Sequence, residues 1–329
     1  MKPKILITSF TFPEVLEFTS AHFEVDDNQQ RDVLDAPALR ARLHDKDGIL
    51  IAGGDRVDAG LLDACPRLRA VCNASVGYNN IDLDECTRRG ILATNTPGVL
   101  DDTVADLGFS LILGAARRIT EAERYLREGR WGRWKNDLLL GMDVHHATMG
   151  IIGMGRIGRA MARRARGFDM RIVYSNRTRA SRDVEDALQA QALPLDELLA
   201  SADFVCLTLP YSPAAHHMIG AREIGLMKPT AVLVNMARGG IVDENALAAA
   251  LRERRIFAAG LDVYEGEPSV NPALLELDNV VMLPHIGSAT RATRVAMGLA
   301  AARNLVAILE GGRPSSLLNP DALSRGRGA

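Results

Sequence analysis

The segment GIIGMGRIGRAMARRARG, residues 150–167, limits the fold of this chain more than any other. An apolar run leads straight into Gly153, Gly155 and Gly158, and a good helix former follows at once. Strand, glycine turn and helix thus come in the order that a dinucleotide-binding turn demands. Gly153 permits the tight turn, Gly155 lets the backbone approach a pyrophosphate, and Gly158 lets the helix pack close to the strand. The turn offers no polar side chain to cap the helix, so its first N–H groups and positive dipole end are left for an anion.

The rest of the chain supports that reading. Short β-branched or aliphatic runs alternate with helix-length segments, the pattern of parallel sheets with helices on their faces. KILIT, GILIAG, LRAVCNAS and GILATNT make one small α/β layer in the first hundred residues; GIIGMG, RIVYSN, FVCLTLP, AVLVNMA, AGLDVY and VVMLPH make a larger one from Gly150. Between them, residues 101–135 read as a long helix and a looser helical or extended arm, with a break around Gly129. After His285 a single helix rich in small residues runs to a Gly-Gly stop. A chain of 329 residues is too long for most single cores and is expected to form two.

Composition removes several function classes. The 39 Lys plus Arg against 41 Asp plus Glu give a net charge of −2, which offers a polyanion no electrostatic reason to bind, so nucleic acid is not expected as a partner. The amino-terminal residues read as a short strand ending at Pro13, without the apolar core of a signal peptide, and a cytoplasmic protein is expected. The apolar run at residues 107–116 is about half the length a bilayer-spanning helix needs, so no membrane role is expected. Cys65, Cys72, Cys86 and Cys206 form no CxxC pair and read as buried thiols. The pairs His145-His146 and His216-His217 have no accompanying carboxylate or cysteine cluster in sequence and read as surface or loop residues, so no metal site is expected.

About twenty residues past the glycines, an NAD site places an acid against the ribose hydroxyls. Here the strand IVYS ends in Asn176, Arg177, Thr178 and Arg179. An acid would repel a 2′-phosphate, whereas an amide, a hydroxyl and guanidinium donors can bind one. The loop favours NADPH, with NADH as the weaker cofactor.

Three charged residues lie at or beyond the ends of the last apolar runs: Arg238 in VNMARGGIVDE, Glu267 in AGLDVYEGEP and His285 in VVMLPHIGSAT. An open α/β sheet places its ligand at such strand ends. As a set they suit reduction of a 2-keto acid, with a guanidinium for carboxylate or carbonyl, an imidazole for the proton, and a carboxylate to keep the imidazole charged.

In VNMARGGIVDENAL, AAGLDVYEGEP and LPHIGSAT, in their order and flanks, the chain resembles the D-isomer-specific 2-hydroxyacid dehydrogenases. SVGYNNIDLDECTRRGI and NTPGVLDDTVADL extend the resemblance over nearly the whole length. It implies that Arg238 binds substrate, that His285 is the acid/base with Glu267 as its partner, and that the Val76 and Gly77 N–H groups hold the substrate carboxylate. Cofactor contacts are implied at Gly153, Gly155, Arg156, Ile157, Gly158, Ser175, Asn176, Arg177, Thr178, Pro210, Ala237 and Asp262. The implied fold has two doubly wound parallel-sheet domains, a Rossmann domain (99–285, with a dimerisation arm) inserted into a smaller flavodoxin-like substrate domain (1–98, completed by 286–329), with the cleft between them closing over the substrate. ASVGYNNID, NRTR and GRWGRWK look most like glyoxylate/hydroxypyruvate reductases, including forms that reduce 2-ketogluconate. That branch implies a homodimer in which an arm tryptophan, Trp134 or else Trp131, reaches the neighbouring active site. Phosphite-oxidising relatives carry a lysine where this chain has Val76. Two other readings stand beside the reductase: an NAD-dependent dehydrogenase of a different keto acid, and a dinucleotide-sensing scaffold like the corepressors that resemble this family.

Overall fold

Apolar runs of four or five residues, bounded by turns and buried on both faces, are what a parallel sheet requires of its inner strands. The computed structural model describes residues 1–32 and 34–325, and it contains two such sheets. The last four residues of the SRGRGA tail, which belong to the expected 286–329 segment, lie outside the described residues. The chain divides into one unit made of Met1–Leu100 with the segment from Ala289 onward, and a second of Asp101–Ser288.

The first unit runs β1 (Lys4–Ile7), α1 (Pro13–His22), β2 (Glu24–Asp26), α2 (Ala36–Leu43), β3 (Gly48–Ile51), α3 (Ala59–Asp63), β4 (Ala70–Asn73), α4 (Leu83–Arg88) and β5 (Leu92–Thr94). All strand pairs are parallel, in the order β2-β1-β3-β4-β5, the doubly wound order of flavodoxin-like sheets. Asp35, Asp58 and Asp82 start α2, α3 and α4 by accepting the N–H of Ala38, Leu61 and Glu85. Such caps are worth about 1 kcal/mol each and fix where the strand-to-helix turns end.

The second unit begins with α5 (Asp101–Ala116) and α6 (Ile119–Arg127), and an irregular arm leads to β6 (Thr148–Ile152). Then follow α7 (Arg156–Arg166), β7 (Arg171–Ser175), α8 (Arg182–Leu188), β8 (Ala190–Ala192), α9 (Leu195–Ser201), β9 (Phe204–Leu207), α10 (Ala221–Leu226), β10 (Val232–Asn235), α11 (Glu244–Arg252), β11 (Ala258–Leu261), α12 (Pro272–Leu275) and β12 (Val280–Met282). Its sheet is parallel throughout, in the order β12-β11-β10-β9-β6-β7-β8. The winding direction reverses between β9 and β6, so the crevice expected at a topological switch point lies beside the glycine turn that follows β6.

The first helical break departs from the sequence expectation. The chain already breaks at Arg118, where φ is +52°, and α6 ends before Gly129 at φ +68°. Only Gly129 carries a readable signal, because glycine enters the left-handed region without a Cβ penalty. Arg118 is held there by its guanidinium on Glu121, at 2.7 and 2.8 Å.

α13 (Arg291–Leu309) returns the chain to the first unit and packs on α1, β3 and β4. A Cβ on its Gly298 would come 2.7 Å from Val15 Cγ2, so the small residue is what lets α1 approach. Among the described residues α13 is the one helix long and apolar enough to cross a membrane, and half of it is buried in this core.

Candidate active site

In a parallel sheet every strand ends on the same edge, so residues just past those ends converge whatever their distance in sequence. In the second unit the nominated residues all follow strand ends: the glycine turn after β6, Ser175–Thr178 at β7, Pro210 after β9, Ala237 and Arg238 after β10, Asp262 and Glu267 after β11, and His285 after β12.

The glycine turn is built for backbone, not side chains. Gly153 has φ +105°, and a Cβ there would lie 2.7 Å from the Leu209 nitrogen. A Cβ on Gly158 would lie 2.3 Å from the Gly153 carbonyl oxygen, and the Thr208 hydroxyl donates to that same oxygen at 2.6 Å. Gly155, by contrast, faces open space within 4 Å, and α7 begins with no side-chain cap. A Cβ-free cradle at an uncapped eleven-residue helix therefore fits the diphosphate of a dinucleotide. Arg156 is exposed and Ile157 partly buried at the first positions of that helix.

At the end of β7, Asn176, Arg177, Thr178 and Arg179 are all exposed. Asn176 Oδ1 accepts the Met154 N–H at 2.7 Å, which ties the loop to the glycine turn and leaves its amide N–H donors without a partner among the described residues. Arg177 makes no hydrogen bond or ion pair among the described residues, so its guanidinium is available to a ligand. Arg179 is not, contrary to the sequence expectation. It donates to Glu185 at 2.8 and 2.9 Å, and the Tyr174 hydroxyl donates to the same carboxylate at 2.5 Å. Together the Arg179 and Tyr174 hydrogen bonds hold the Glu185 carboxyl down at about 2.

At the other end of the sheet, His285 Nδ1 lies 2.7 Å from Glu267 Oε2, and Glu267 Oε1 accepts the Tyr264 N–H at 2.8 Å. Burial by itself would raise the Glu267 carboxyl, but these two hydrogen bonds and the charges of His285 and Arg238 outweigh it and hold it below the ordinary range. Glu267 is therefore ionised near neutral pH and can only accept, so Nδ1 of His285 carries the hydrogen of this bond and Nε2 is left out of it. His285 sits at φ +52°, a left-handed conformation that a non-glycine residue adopts at a cost of about 1–3 kcal/mol and that over-determined surroundings must hold. Those surroundings include Asp262, whose two oxygens accept the Ile286 and Gly287 N–H groups at 2.7 and 2.8 Å. Asp262 is 1% exposed and serves here as an anchor for the histidine loop. Arg238 is partly buried; burial lowers its pKa while the nearby Glu267 charge raises it. Its backbone carbonyl accepts from the Asn235 side chain at 3.0 Å, and its Nη1 donates to the Ala237 carbonyl at 2.7 Å.

The family model for the NAD binding domain of D-isomer specific 2-hydroxyacid dehydrogenases matches residues 109–287, the span of this whole arrangement. The chain belongs to that family. A glyoxylate reductase of Thermococcus onnurineus is 46% identical over 98% of both chains, and one of Pyrococcus horikoshii is 44% identical over 98% of both. A crystal structure of an NADPH-dependent glyoxylate/hydroxypyruvate reductase from Sinorhizobium meliloti, in complex with NADP and malonate, is 34% identical, covers all of both chains and superposes with a TM-score of 0.87. This dehydrogenase thus has the two-sheet fold of its relatives and is an NAD(P)-dependent oxidoreductase.

In the first unit, the turn after β4 carries Val76 and Gly77. Buried Asn95 donates to the Val76 carbonyl and buried Asn73 to the Gly77 carbonyl, each at 2.8 Å. Both carbonyls are turned to the protein, while the Val76 and Gly77 N–H groups donate to nothing among the described residues. Sequence reasoning missed these two asparagines, since a buried amide at a strand end has no pattern of its own.

His216 and His217 are exposed turn residues, as expected, but a carboxylate does accompany them. Their rings stack at 3.9 Å with 20° between planes, and Glu265, 48 residues from His217, lies 2.8 Å from His217 Nε2. Adjacent residues do usually project apart, but His217 adopts φ +50° and its N–H donates to the Gly240 carbonyl at 2.7 Å, which turns the two rings the same way. The carboxylate absent from the local sequence comes from the loop after β11. On the arm, Trp131 and Trp134 are 56% and 74% exposed.

Proposed function

We propose that this dehydrogenase reduces glyoxylate to glycolate and hydroxypyruvate to D-glycerate, with NADPH preferred over NADH. The observation that carries it is the His285–Glu267 bond at 2.7 Å with the Arg238 charge beside it, beyond strands whose first turn fits a dinucleotide.

The chemistry divides among named groups. The reduced nicotinamide, when bound, supplies the hydride to C2 of the keto acid. Gly153, Gly155, Arg156, Ile157 and Gly158 hold the diphosphate, and Ser175, Pro210, Ala237 and Asp262 shape the remainder of the cofactor site. The Val76 and Gly77 N–H groups receive the substrate carboxylate, and the Arg238 guanidinium binds substrate and polarises the keto oxygen. His285 gives its Nε2 proton to that oxygen as the alcohol forms, and Glu267 stabilises the imidazolium that precedes transfer. The Asn176 amide, the Arg177 guanidinium and the Thr178 hydroxyl bind the 2′-phosphate, in the absence of any acid at the end of β7.

We further assign a homodimer to the apolar arm. Ile119, Leu126, Trp131, Trp134 and Leu140, five large apolar side chains within 22 residues of chain, are exposed on α6 and the segment after it, and a second subunit would cover them. Trp134, or else Trp131, is then the residue that reaches the neighbouring subunit's site. The four cysteines are free and buried, in keeping with a cytoplasmic protein.

The test is a set of initial rates with NADPH and NADH against glyoxylate, hydroxypyruvate and 2-ketogluconate. NADPH with glyoxylate is expected to give the highest kcat/KM. A preference for NADH, or for 2-ketogluconate, replaces this reading with the NAD-linked one, and no turnover on any keto acid replaces it with the sensing scaffold.

A further inference from the structure

We propose that His216, His217 and Glu265 form a binding site for a divalent first-row transition cation of the zinc type, separate from the His285–Glu267 pair. His217 Nε2 is 2.8 Å and His216 Nε2 3.9 Å from the Glu265 carboxylate, and the three donor atoms all lie within 4.8 Å of one another. A tetrahedral zinc with bonds of about 2.0–2.1 Å holds its donors about 3.3 Å apart. The two observed distances, which run to different oxygens of the carboxylate, bracket that spacing, and the stacked rings must rotate out of their stack for both Nε2 lone pairs to meet one ion. All three residues are exposed and have room for it.

Three further features suit a metal better than a simple ion pair. The Tyr211 hydroxyl lies 3.3 Å from His216 Nδ1, an outer partner that leaves Nε2 as the ligand. The second imidazole has no role in a histidine–glutamate ion pair, yet its ring lies only 3.9 Å from the first, within reach of the same ion once the rings turn. A second carboxylate lies beside the set: buried Glu244 accepts the Glu265 N–H at 2.6 Å. Two neutral imidazoles and a carboxylate select zinc, cobalt(II) or nickel(II) over magnesium or calcium, which prefer all-oxygen ligands. With three protein ligands, a fourth position stays open to water. The bound ion joins the loop after β9, which carries Pro210 and His217, to the loop after β11, which carries Glu265 and Glu267.

The untagged, metal-stripped chain should bind one zinc ion per chain with micromolar affinity by equilibrium dialysis and metal analysis, and magnesium should not compete. Its unfolding temperature should rise with zinc by several degrees. His216→Ala and Glu265→Gln should each abolish both effects, and Tyr211→Phe should weaken zinc by about 10–100-fold. Circular dichroism of the metal-free variants should match the parent, because the substituted side chains are exposed. The proposal is overturned if the parent chain binds no zinc below millimolar concentration, if binding survives His216→Ala and Glu265→Gln, or if it is lost instead in His285→Ala.

Discussion

Glu265 holds His217 at 2.8 Å and Glu267 holds His285 at 2.7 Å, and both histidines sit at nearly the same left-handed φ, +50° and +52°. Judged by distance and backbone the two pairs match, although Glu267 meets Nδ1 of its histidine and Glu265 meets Nε2. Their surroundings do not match. Glu267 has its second oxygen tied to the Tyr264 N–H and the Arg238 charge nearby, so it is fixed as an anion with one histidine to orient. Glu265 has no arginine in its set and instead faces a second imidazole. The first arrangement suits moving a proton beside a bound anion, the second suits sharing lone pairs with a cation. A histidine–glutamate distance therefore says little about chemistry until the next charge out is known.

The comparison breaks most sharply at the histidines. His285→Ala should lose about 10²–10⁴-fold in kcat, the usual worth of a general acid, while still binding NADPH by nucleotide-fluorescence titration. His217→Ala, assayed without added metal, should keep most of its turnover; equal losses in the two variants would erase the distinction. The next largest effect is expected at Arg238→Lys, which keeps the charge but loses the planar fork. A drop in kcat/KM of about 10–100-fold in steady-state kinetics corresponds to one or two charge-assisted hydrogen bonds.

A change in pH dependence should separate the two glutamates. The Glu267 carboxyl is held low and stays ionised through the working range, so Glu267→Gln removes an anion from beside the imidazolium. Loss of that anion disfavours the protonated form, and the falling limb of the reductive pH–rate profile should move to lower pH. Glu265→Gln should leave that limb in place. The smallest effect concerns stability: the exposed His217–Glu265 pair should contribute no more than about 1 kcal/mol in urea unfolding without metal, as exposed ion pairs do.

Much of the fold is legible in the sequence because inner parallel strands must be continuously apolar. KILI, GILI and AVCN in the first sheet, and TMGII, FVCL and VLVN in the second, are of this kind. The two strands that escaped notice, EVD and AQA, are three-residue edge strands. An edge strand is paired on one side only and needs no apolar run; EVD and AQA carry none, whereas the edge strands LAT and VVM do and are legible. The same limit applies to backbone conformation. Gly153 and Gly129 announce their left-handed turns, whereas Arg118, His217 and His285 adopt theirs with ordinary side chains and only tertiary contacts to hold them.

By itself the sequence determined the α/β class, the glycine turn and the residues able to carry acid–base chemistry, because those follow from local pattern and residue type. It also placed an amide and a guanidinium where an acid would exclude a 2′-phosphate. Which charged groups are paired was decided only by tertiary structure. Arg179 is held by Glu185, Asp262 by the Ile286–Gly287 backbone, and His216 and His217 stand beside a carboxylate 48 residues from His217. The physical reason is that charge pairing depends on distances of a few ångströms between loops, and a parallel sheet brings the ends of distant strands to one edge.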